Sequence, residues 1–263
     1  MNRPFFRLLT ELSSRKWISR ITGAFAQSGV SRLFIRRFAK LYGIPLKDAE
    51  KHVSEYRSLN EFFTRRLKPG LRPIHEHPDS LVSPVDALIT GMGRIESGQL
   101  LRVKGQDYSV DELLNMSPRT VNYKHGYFFV LYLSPTDYHR IHAPASGAVL
   151  EKEHVPGKVY PVNDFGLTQM RRVLSRNERL ITYIGHAFGE IAVVKVGAMN
   201  VSSIRYASAN LPDRLERGGD LAYFEFGSTV VLLTESGIFT PREDLKLGSK
   251  VKMGEELGRL HEK

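Results

Sequence analysis

Three short segments carry the side chains that could do chemistry. Phe226-Gly227-Ser228-Thr229 offers a hydroxyl between an aromatic pair, Tyr223 and Phe224, and the apolar run Val230-Val231-Leu232-Leu233. Tyr138-His139-Arg140-Ile141-His142 offers two imidazoles, and Ser83-Pro84-Val85-Asp86 offers a carboxylate. A hydroxyl is a poor nucleophile until a base takes its proton. An imidazole suits that task near neutral pH, and a carboxylate can orient it and stabilise its cation. Taken singly, none of the three is specific. His-x-x-His also suits a metal pair, but the next ligand would have to be a distant carboxylate, and no His-Glu-x-x-His helix pattern is present. Histidine pairs near a strand end are more often structural than catalytic. Pro-Val-Asp and Gly-Ser-Thr are common turn sequences, and Glu225 to Thr229 lacks the Gly-x-Ser-x-Gly elbow of α/β-hydrolases.

The elements that must position these residues fall into two blocks. Residues 1–68 read as successive amphipathic helices. In Ser14 to Ala26, Trp17, Ile18, Ile21 and Phe25 share a face; in Ser31 to Tyr42, Phe34, Ile35, Phe38, Leu41 and Tyr42 do the same, with Arg32, Arg36, Arg37 and Lys40 on another side. Gly43 and Pro45 stop that helix. Ser58-Leu59-Asn60-Glu61 has the form of a capping box and predicts a short helix running through Leu67. From about residue 80 the period shortens. Ala87–Thr90, Tyr127–Leu133, Ala148–Leu150, Ile191–Val196, Tyr223–Phe226, Val230–Leu233 and Lys250–Leu257 read as strands between Gly, Pro and Asp turns. Val110 to Asn115 reads as a helical insert opened by Ser109, and residues 163–179 as a further helix or a long loop. The reading is α+β: an N-terminal helical segment, residues 1–73, followed by a mainly antiparallel β-sandwich or barrel, residues 74–263.

Composition narrows the chemistry. The chain has no cysteine, which removes disulfides, thiolate metal sites and a cysteine nucleophile. No run of 18 apolar residues is present, so no helix is expected to span a bilayer, and charge interrupts Met1 to Arg7 before a signal-peptide core could form. A cytoplasmic protein is the expectation. The net charge of +10 is uneven: residues 1–72 hold 16 Lys/Arg against 5 Asp/Glu, and the remaining 191 residues hold 22 against 23. Basic amphipathic helices suit an anionic membrane surface, where each cation contributes on the order of 1 kcal/mol. The same stripes could instead pack on the β-domain with their charges in water. The basic balance also admits nucleic acid, but no recognised motif supports it and none is expected as a partner.

In combination and in order, the motifs resemble the phosphatidylserine decarboxylases, pyruvoyl-dependent enzymes, in their prokaryotic type. Ser58-Leu59-Asn60-Glu61-Phe62-Phe63-Thr64-Arg65 looks like the N-terminal signature of that family, Ser83 to Asp86 like the segment of its essential aspartate, and Tyr138 to Pro144 like its histidine motif. Tyr160 to Asn163, Asn177 to Arg179 and Val196 to Met199 follow in the family's order, and Phe226-Gly227-Ser228-Thr229 is similar to its cleavage motif, with Phe226 in place of the usual leucine. Ser202 stands where a glycine is common. The resemblance implies a zymogen that cuts itself between Gly227 and Ser228 into chains 1–227 and 228–263. Ser228 would become a covalent pyruvoyl cofactor, with no metal. His142 would be the base for Ser228, Asp86 would orient His142, and His139 would deliver a proton during turnover. The implied activity is that of a carboxy-lyase of phospholipid biosynthesis. It would convert phosphatidylserine to phosphatidylethanolamine and CO₂ through a Schiff base between the substrate amine and the pyruvoyl group. The implied partners are phosphatidylserine and the anionic membrane surface, met peripherally at the cytoplasmic face of the cell membrane. The two products would form a heterodimer that could dimerise further.

Two other classes compete. Gly248-Ser249-Lys250-Val251-Lys252-Met253-Gly254-Glu255 looks a little like the barrel segment of a biotin or lipoyl carrier, although neither lysine has the Met-Lys-Met context. A serine hydrolase would keep an intact Ser228 open to fluorophosphonate labelling.

Overall fold

The computed structural model describes residues 16–96, 101–103, 105–162, 167–168, 170–198, 204–225 and 228–263. Helices α1 (Lys16–Gln27), α2 (Ile35–Tyr42) and α3 (Leu59–Phe63) form the N-terminal unit, with a 3-10 turn at Gly29–Phe34 between the first two. Short helices α4 (Val110–Leu113), α5 (Thr120–Tyr123) and α6 (Val173–Arg176) lie within the β-rich part. The strands are β1 (Ser80–Val82), β2 (Ala87–Arg94), β3 (Leu101–Val103), β4 (Gln106–Tyr108), β5 (Tyr127–Leu133), β6 (Arg140–His142), β7 (Gly147–Val155) and β8 (Arg179–His186). They continue with β9 (Gly189–Gly197), β10 (Ile204–Tyr206), β11 (Arg214–Leu215), β12 (Asp220–Phe224), β13 (Ser228–Thr234), β14 (Phe239–Pro241), β15 (Lys250–Val251) and β16 (Glu256–Leu260).

Eight strands make one antiparallel sheet in the order β11-β7-β8-β9-β13-β5-β2-β15. Two three-stranded sheets, β10-β12-β6 and β1-β16-β14, are also antiparallel. One apolar core joins all three, drawing Leu131, Leu133, Val193 and Val230 from the large sheet, Ile141, Ala222 and Phe224 from one small sheet, and Leu81, Leu257 and Phe239 from the other. The opposite face of the large sheet, with Val130, Val194 and Val231, packs on Tyr108, Leu113, Tyr123 and Leu174. Both faces are covered, so β13 is buried along its whole length and reads as a continuous apolar run instead of alternating.

The α+β, mainly antiparallel reading holds. Several bounds move for local reasons. Ser58 caps α3 by accepting from Glu61 N at 3.1 Å, but the Glu61 carboxylate accepts from Arg57 N at 2.7 Å and pairs with Lys51, so the box is half made. The helix ends at Phe63, short of Leu67, because the chain turns there to pair Ala49 with Leu67. Residues 31–42 begin as the 3-10 turn, and Gly43 closes α2 with φ +65°, the left-handed cap that a glycine adopts freely. The expected strand Lys250–Leu257 is two strands. Gly254, at φ +88°, makes a turn between them, where a Cβ would meet Pro73 O at 2.5 Å. Strand β8 lies beyond the expected helix or loop 163–179, of which α6 and residues 167–168 are helical among the described residues.

The N-terminal unit has a small core of its own: Ile35, Ala39, Ile44, Ala49, Tyr56, Leu59 and Phe62. Only part of the expected stripe is buried. Ile35 is covered, while Leu41 is 78% and Leu33 71% exposed, and Phe25 and Phe34 are also exposed. The side chains of Trp17, Ile18 and Ile21 lie outside the described residues.

Candidate active site

Strand register gathers the candidate residues at one end of the large sheet. Leu88 pairs with Tyr132 and Tyr132 with Thr229, so Leu88 and Thr229 stand two strand spacings apart, about 10 Å. Asp86 precedes β2 at this end, Ser228 opens β13, and β5 leaves the sheet here to reach His139 and His142. Strand β6 then pairs with β12, the strand that leads toward Ser228.

Ser228 pairs with Leu133 on one side and Gly197 on the other. It is fully buried, and its Oγ has no hydrogen-bond partner. Leaving a buried hydroxyl unpaired costs roughly 1–3 kcal/mol. Gly227 lies outside the described residues, as do Asn163, Met199 and Ser202.

The two histidines have distinct environments. His139 is fully buried, with its ring 4.0 Å from that of Phe63. Its Nδ1 lies 2.8 Å from Asp137 O; a carbonyl only accepts, so Nδ1 carries the proton and Nε2 keeps its lone pair, without a partner. Burial pushes its pKa down to about 3. His142 likewise donates from Nδ1, to Gly218 O at 2.8 Å, and its Nε2 faces Tyr138 Oη at 3.2 Å. Burial lowers its pKa too, partly offset by Asp220, whose carboxylate lies 3.5 Å from Nδ1. Both imidazoles are therefore neutral near pH 7.

Asp86 sits beside the histidine segment through the backbone, His142 N donating to Pro84 O at 2.9 Å. Its carboxylate is held elsewhere. Arg72 grips both oxygens, with Nε donating to Oδ1 at 2.8 Å and Nη2 to Oδ2, and Met253 N donates to Oδ1 at 2.9 Å. The structure thus brings His142 and Ser83 to Asp86 to the same sheet end, while the carboxylate facing His142 Nδ1 belongs to Asp220.

Four buried or paired polar residues of this region were not singled out from the sequence. Asp220 is found only through the register that sets it opposite His142. Arg72 follows a Pro-Gly turn that carries no signal of a carboxylate partner. Lys195, two residues before Gly197 on β9, is fully buried; its amine donates to Thr182 Oγ1 at 2.5 Å, and desolvation holds its pKa well below the usual lysine value. Glu225 is a buried carboxylate three residues upstream of Ser228. The N-terminal unit covers this end of the molecule. Phe63 packs on His139, Thr64 O accepts from Arg140 Nε at 3.0 Å, and Arg66 pairs with Asp220. Among the described residues no group of three or more His, Cys, Asp or Glu is placed to hold a metal ion.

Fold and site together define an α+β protein of mainly antiparallel sheets, with a buried hydroxyl, neutral imidazoles and carboxylates collected at one sheet end. Residues 59–259 match the family model described as phosphatidylserine decarboxylase. The chain is 44% identical over 263 residues to a phosphatidylserine decarboxylase proenzyme of Anoxybacillus flavithermus, covering all of this chain and 98% of that one. It is 43% identical over 259 residues to that of Geobacillus kaustophilus, covering 98% of this chain and 97% of the relative. The chain belongs to the phosphatidylserine decarboxylase family.

Proposed function

We propose that the chain is the proenzyme of a phosphatidylserine decarboxylase that cuts itself between Gly227 and Ser228. The observation that carries the reading is the Ser228 hydroxyl, fully buried and unpartnered at the start of a strand pinned on both sides. A buried group left unpaired calls for an explanation other than stability, and Ser228 Oγ is the one of these that stands at the expected cut. His142, neutral and fixed in the tautomer with a lone pair on Nε2, is the base. Asp86 and its partners Arg72 and Met253 N support the segment from which His142 is held.

The maturation chemistry balances with one water. The base takes the Ser228 proton, Oγ adds to the Gly227 carbonyl carbon, and the amide C–N bond breaks to leave an ester and a free amine on residue 228. Removal of the Ser228 α-proton expels the Gly227 carboxylate and leaves a carbon–carbon double bond on residue 228. Water then replaces the nitrogen, releasing ammonia and leaving a pyruvoyl group at the head of chain 228–263. A base contributes about 10²–10⁴-fold to such a step.

The residues present fit that group. It would lie against core side chains such as Leu133, Phe224 and Val230, which exclude water, and near a histidine whose Nε2 has no partner. Once formed, it supplies a carbonyl that accepts the electrons released when a carboxylate leaves an amino acid. His139 holds and moves the proton needed at the substrate α-carbon.

The two chains remain together as a heterodimer, since β13 lies between β9 and β5 within the large sheet. Residues 1–73 serve as the membrane-docking segment, and residues 74–263 as the catalytic domain. No helix among the described residues is long and apolar enough to cross a membrane, and the exposed Leu33, Phe34 and Leu41 beside Arg32, Arg36, Arg37 and Lys40 suit peripheral binding to anionic lipid. We place that binding on the cytoplasmic face of the cell membrane, where the substrate headgroup would be presented. Intact mass spectrometry tests the reading. The wild type should give two chains and release ammonia, whereas Ser228→Ala should stay at full length and be inactive. Two chains from Ser228→Ala would reject it.

A further inference from the structure

Glu225 is the last described residue upstream of the cut, and its side chain is only 6% exposed. Three elements converge on it. Asn60 Nδ2, from α3, donates to Oε1 at 3.2 Å; Gln27 Nε2, the last residue of α1, lies 3.5 Å from both oxygens; and Arg205 Nε, from β10, lies 3.5 Å from Oε1. One residue earlier, Phe224 N donates to His139 O at 3.1 Å. On the downstream side, Ser228 is fixed by ladders to Leu133 and Gly197. Only Phe226 and Gly227 stand between these two anchored points.

We infer that Glu225 and Asn60 form a positioning clamp that fixes the upstream end of the scissile segment, so that self-cleavage depends on the docking of α1 and α3 onto the β-domain. The inference rests on the self-cleavage reading above. Attack by Oγ needs the Gly227 carbonyl carbon within about 3–3.5 Å and correctly aligned, and an ångström of misplacement costs up to about a hundredfold. The position of Glu225 sets where the chain enters the two residues that lead to the cut. Released at Glu225, the carbonyl would be free to wander from the hydroxyl. Glu225 and Asn60 touch neither Ser228 nor the histidines in any contact described above, so they act through the backbone. The clamp also explains why the Ser58 to Arg65 motif, remote in sequence, lies against the site. Its Asn60 reaches the chain leading into the cut, while its Phe63 packs on His139.

The test is pulse-chase cell-free translation followed by denaturing gels and intact mass, with the melting temperature of each purified product. Asn60→Asp sets two carboxylates against each other, and Glu225→Ala removes the acceptor. Each should slow the cut by about tenfold to a hundredfold. The double variant Asn60→Asp with Glu225→Gln restores one hydrogen bond with its polarity reversed, because Asp accepts and the Gln amide donates. It should recover most of the lost rate, and rate should not track melting temperature across the set. Single variants that cut at the wild-type rate, or a double variant no faster than Asn60→Asp, would overturn the clamp. Should Glu225→Ala fail to fold, Asn60→Asp against the double variant decides the matter alone. A wild type that stays unbroken would overturn the self-cleavage reading and the clamp with it. A wild type that cuts normally beside unaffected variants removes only the clamp.

Discussion

The sheet end around Ser228 and the outer face of α2 handle their awkward groups in opposite ways. At the sheet end, polar groups are buried and mostly paired, with Asp86 on Arg72, His142 on Gly218 O and Glu225 on Asn60. Ser228 Oγ and His139 Nε2 are among the exceptions, as is Thr229 Oγ1, and the first two are the atoms to which the proposed function gives chemistry. On α2, apolar groups are exposed, with Leu41 at 78%, and cations stand beside them. A buried unpaired hydroxyl and an exposed leucine are both departures from what stability alone would select, and each points to its own partner. In the proposed function the first concerns a bond within the chain, the second a surface outside it. On that proposal chemistry and docking sit on separate elements, linked where α3 and the residues after it touch His139, Arg140, Asp220 and Glu225.

The largest expected effects probe the sheet end. His142→Ala should slow self-cleavage by about 10²–10⁴-fold, read as persistence of the full-length chain. Asp86→Asn and Asp220→Asn, run side by side, divide the orienting role. The carboxylate whose loss slows the cut most is the one that acts on His142, and an Asp220→Asn chain that cuts normally would leave Asp86 in that place. Asp86→Asn should also lower stability, since Arg72 would lose half of a partly buried ion pair. His139→Ala should behave differently from both. The cut should proceed, and decarboxylation of the matured enzyme should fall by about 10²–10⁴-fold. A His139→Ala chain that turns over normally would remove that residue from the chemistry.

How far these effects could have been foreseen from the residues alone varies along the chain. Ser228, His139, His142 and Asp86 could be named as candidates because they lie in compact motifs, and the strand Tyr127–Leu133 was legible because its apolar run is bounded by turn residues. Asp220 and Arg72 were not legible. Their partners are set by strand register and by the path of a linker, neither of which leaves a local mark. Strand β8 was missed because Arg179 and Thr182 break its apolar pattern, and Lys195 does the same on its neighbour β9. Arg179 is buried with Leu113 O and Glu112 O as acceptors, and Lys195 with Thr182. Residues that read as surface polar groups belong here to the interior. The two-strand form of Lys250 to Leu260 was hidden for another reason: Met253-Gly254 continues an acceptable strand composition, and only the positive φ of Gly254 breaks it.

An intermediate effect concerns pH and separates the two regions again. His139 has a folded pKa of about 3 and His186 of about 4, both lowered by burial, against about 6.5 when unfolded. Above pH 6.5 neither state binds these protons and the full stability is present. As pH falls below that value the unfolded chain takes up protons that the folded one refuses, so stability is lost progressively down to the folded pKa. Each group contributes at most about 1.4 kcal/mol per pH unit. Denaturant melts of the Ser228→Ala chain, expected to stay in one piece, should show stability declining from pH 6.5 toward pH 4. His139→Phe should make that decline shallower, and an unchanged slope would mean that His139 is protonated in the folded protein.

The smallest effect should come from the outer face of α2 and the 3-10 turn before it, because each side chain there adds only part of a distributed attachment. Replacing Leu33 or Leu41 by Ser should weaken sedimentation with vesicles containing anionic lipid by about three- to tenfold, the share expected from partly burying one leucine. Raising salt toward 1 M, where the screening length falls to about 3 Å, should weaken the wild type further by removing the contribution of Arg32, Arg36, Arg37 and Lys40. Neither substitution should change the rate of self-cleavage, since both side chains are exposed and neither takes part in the Asn60 or Phe63 contacts. Binding that survives both leucine changes and high salt would move the attachment away from α2. A leucine change that slowed the cut would show the two regions to be coupled through more than Glu225.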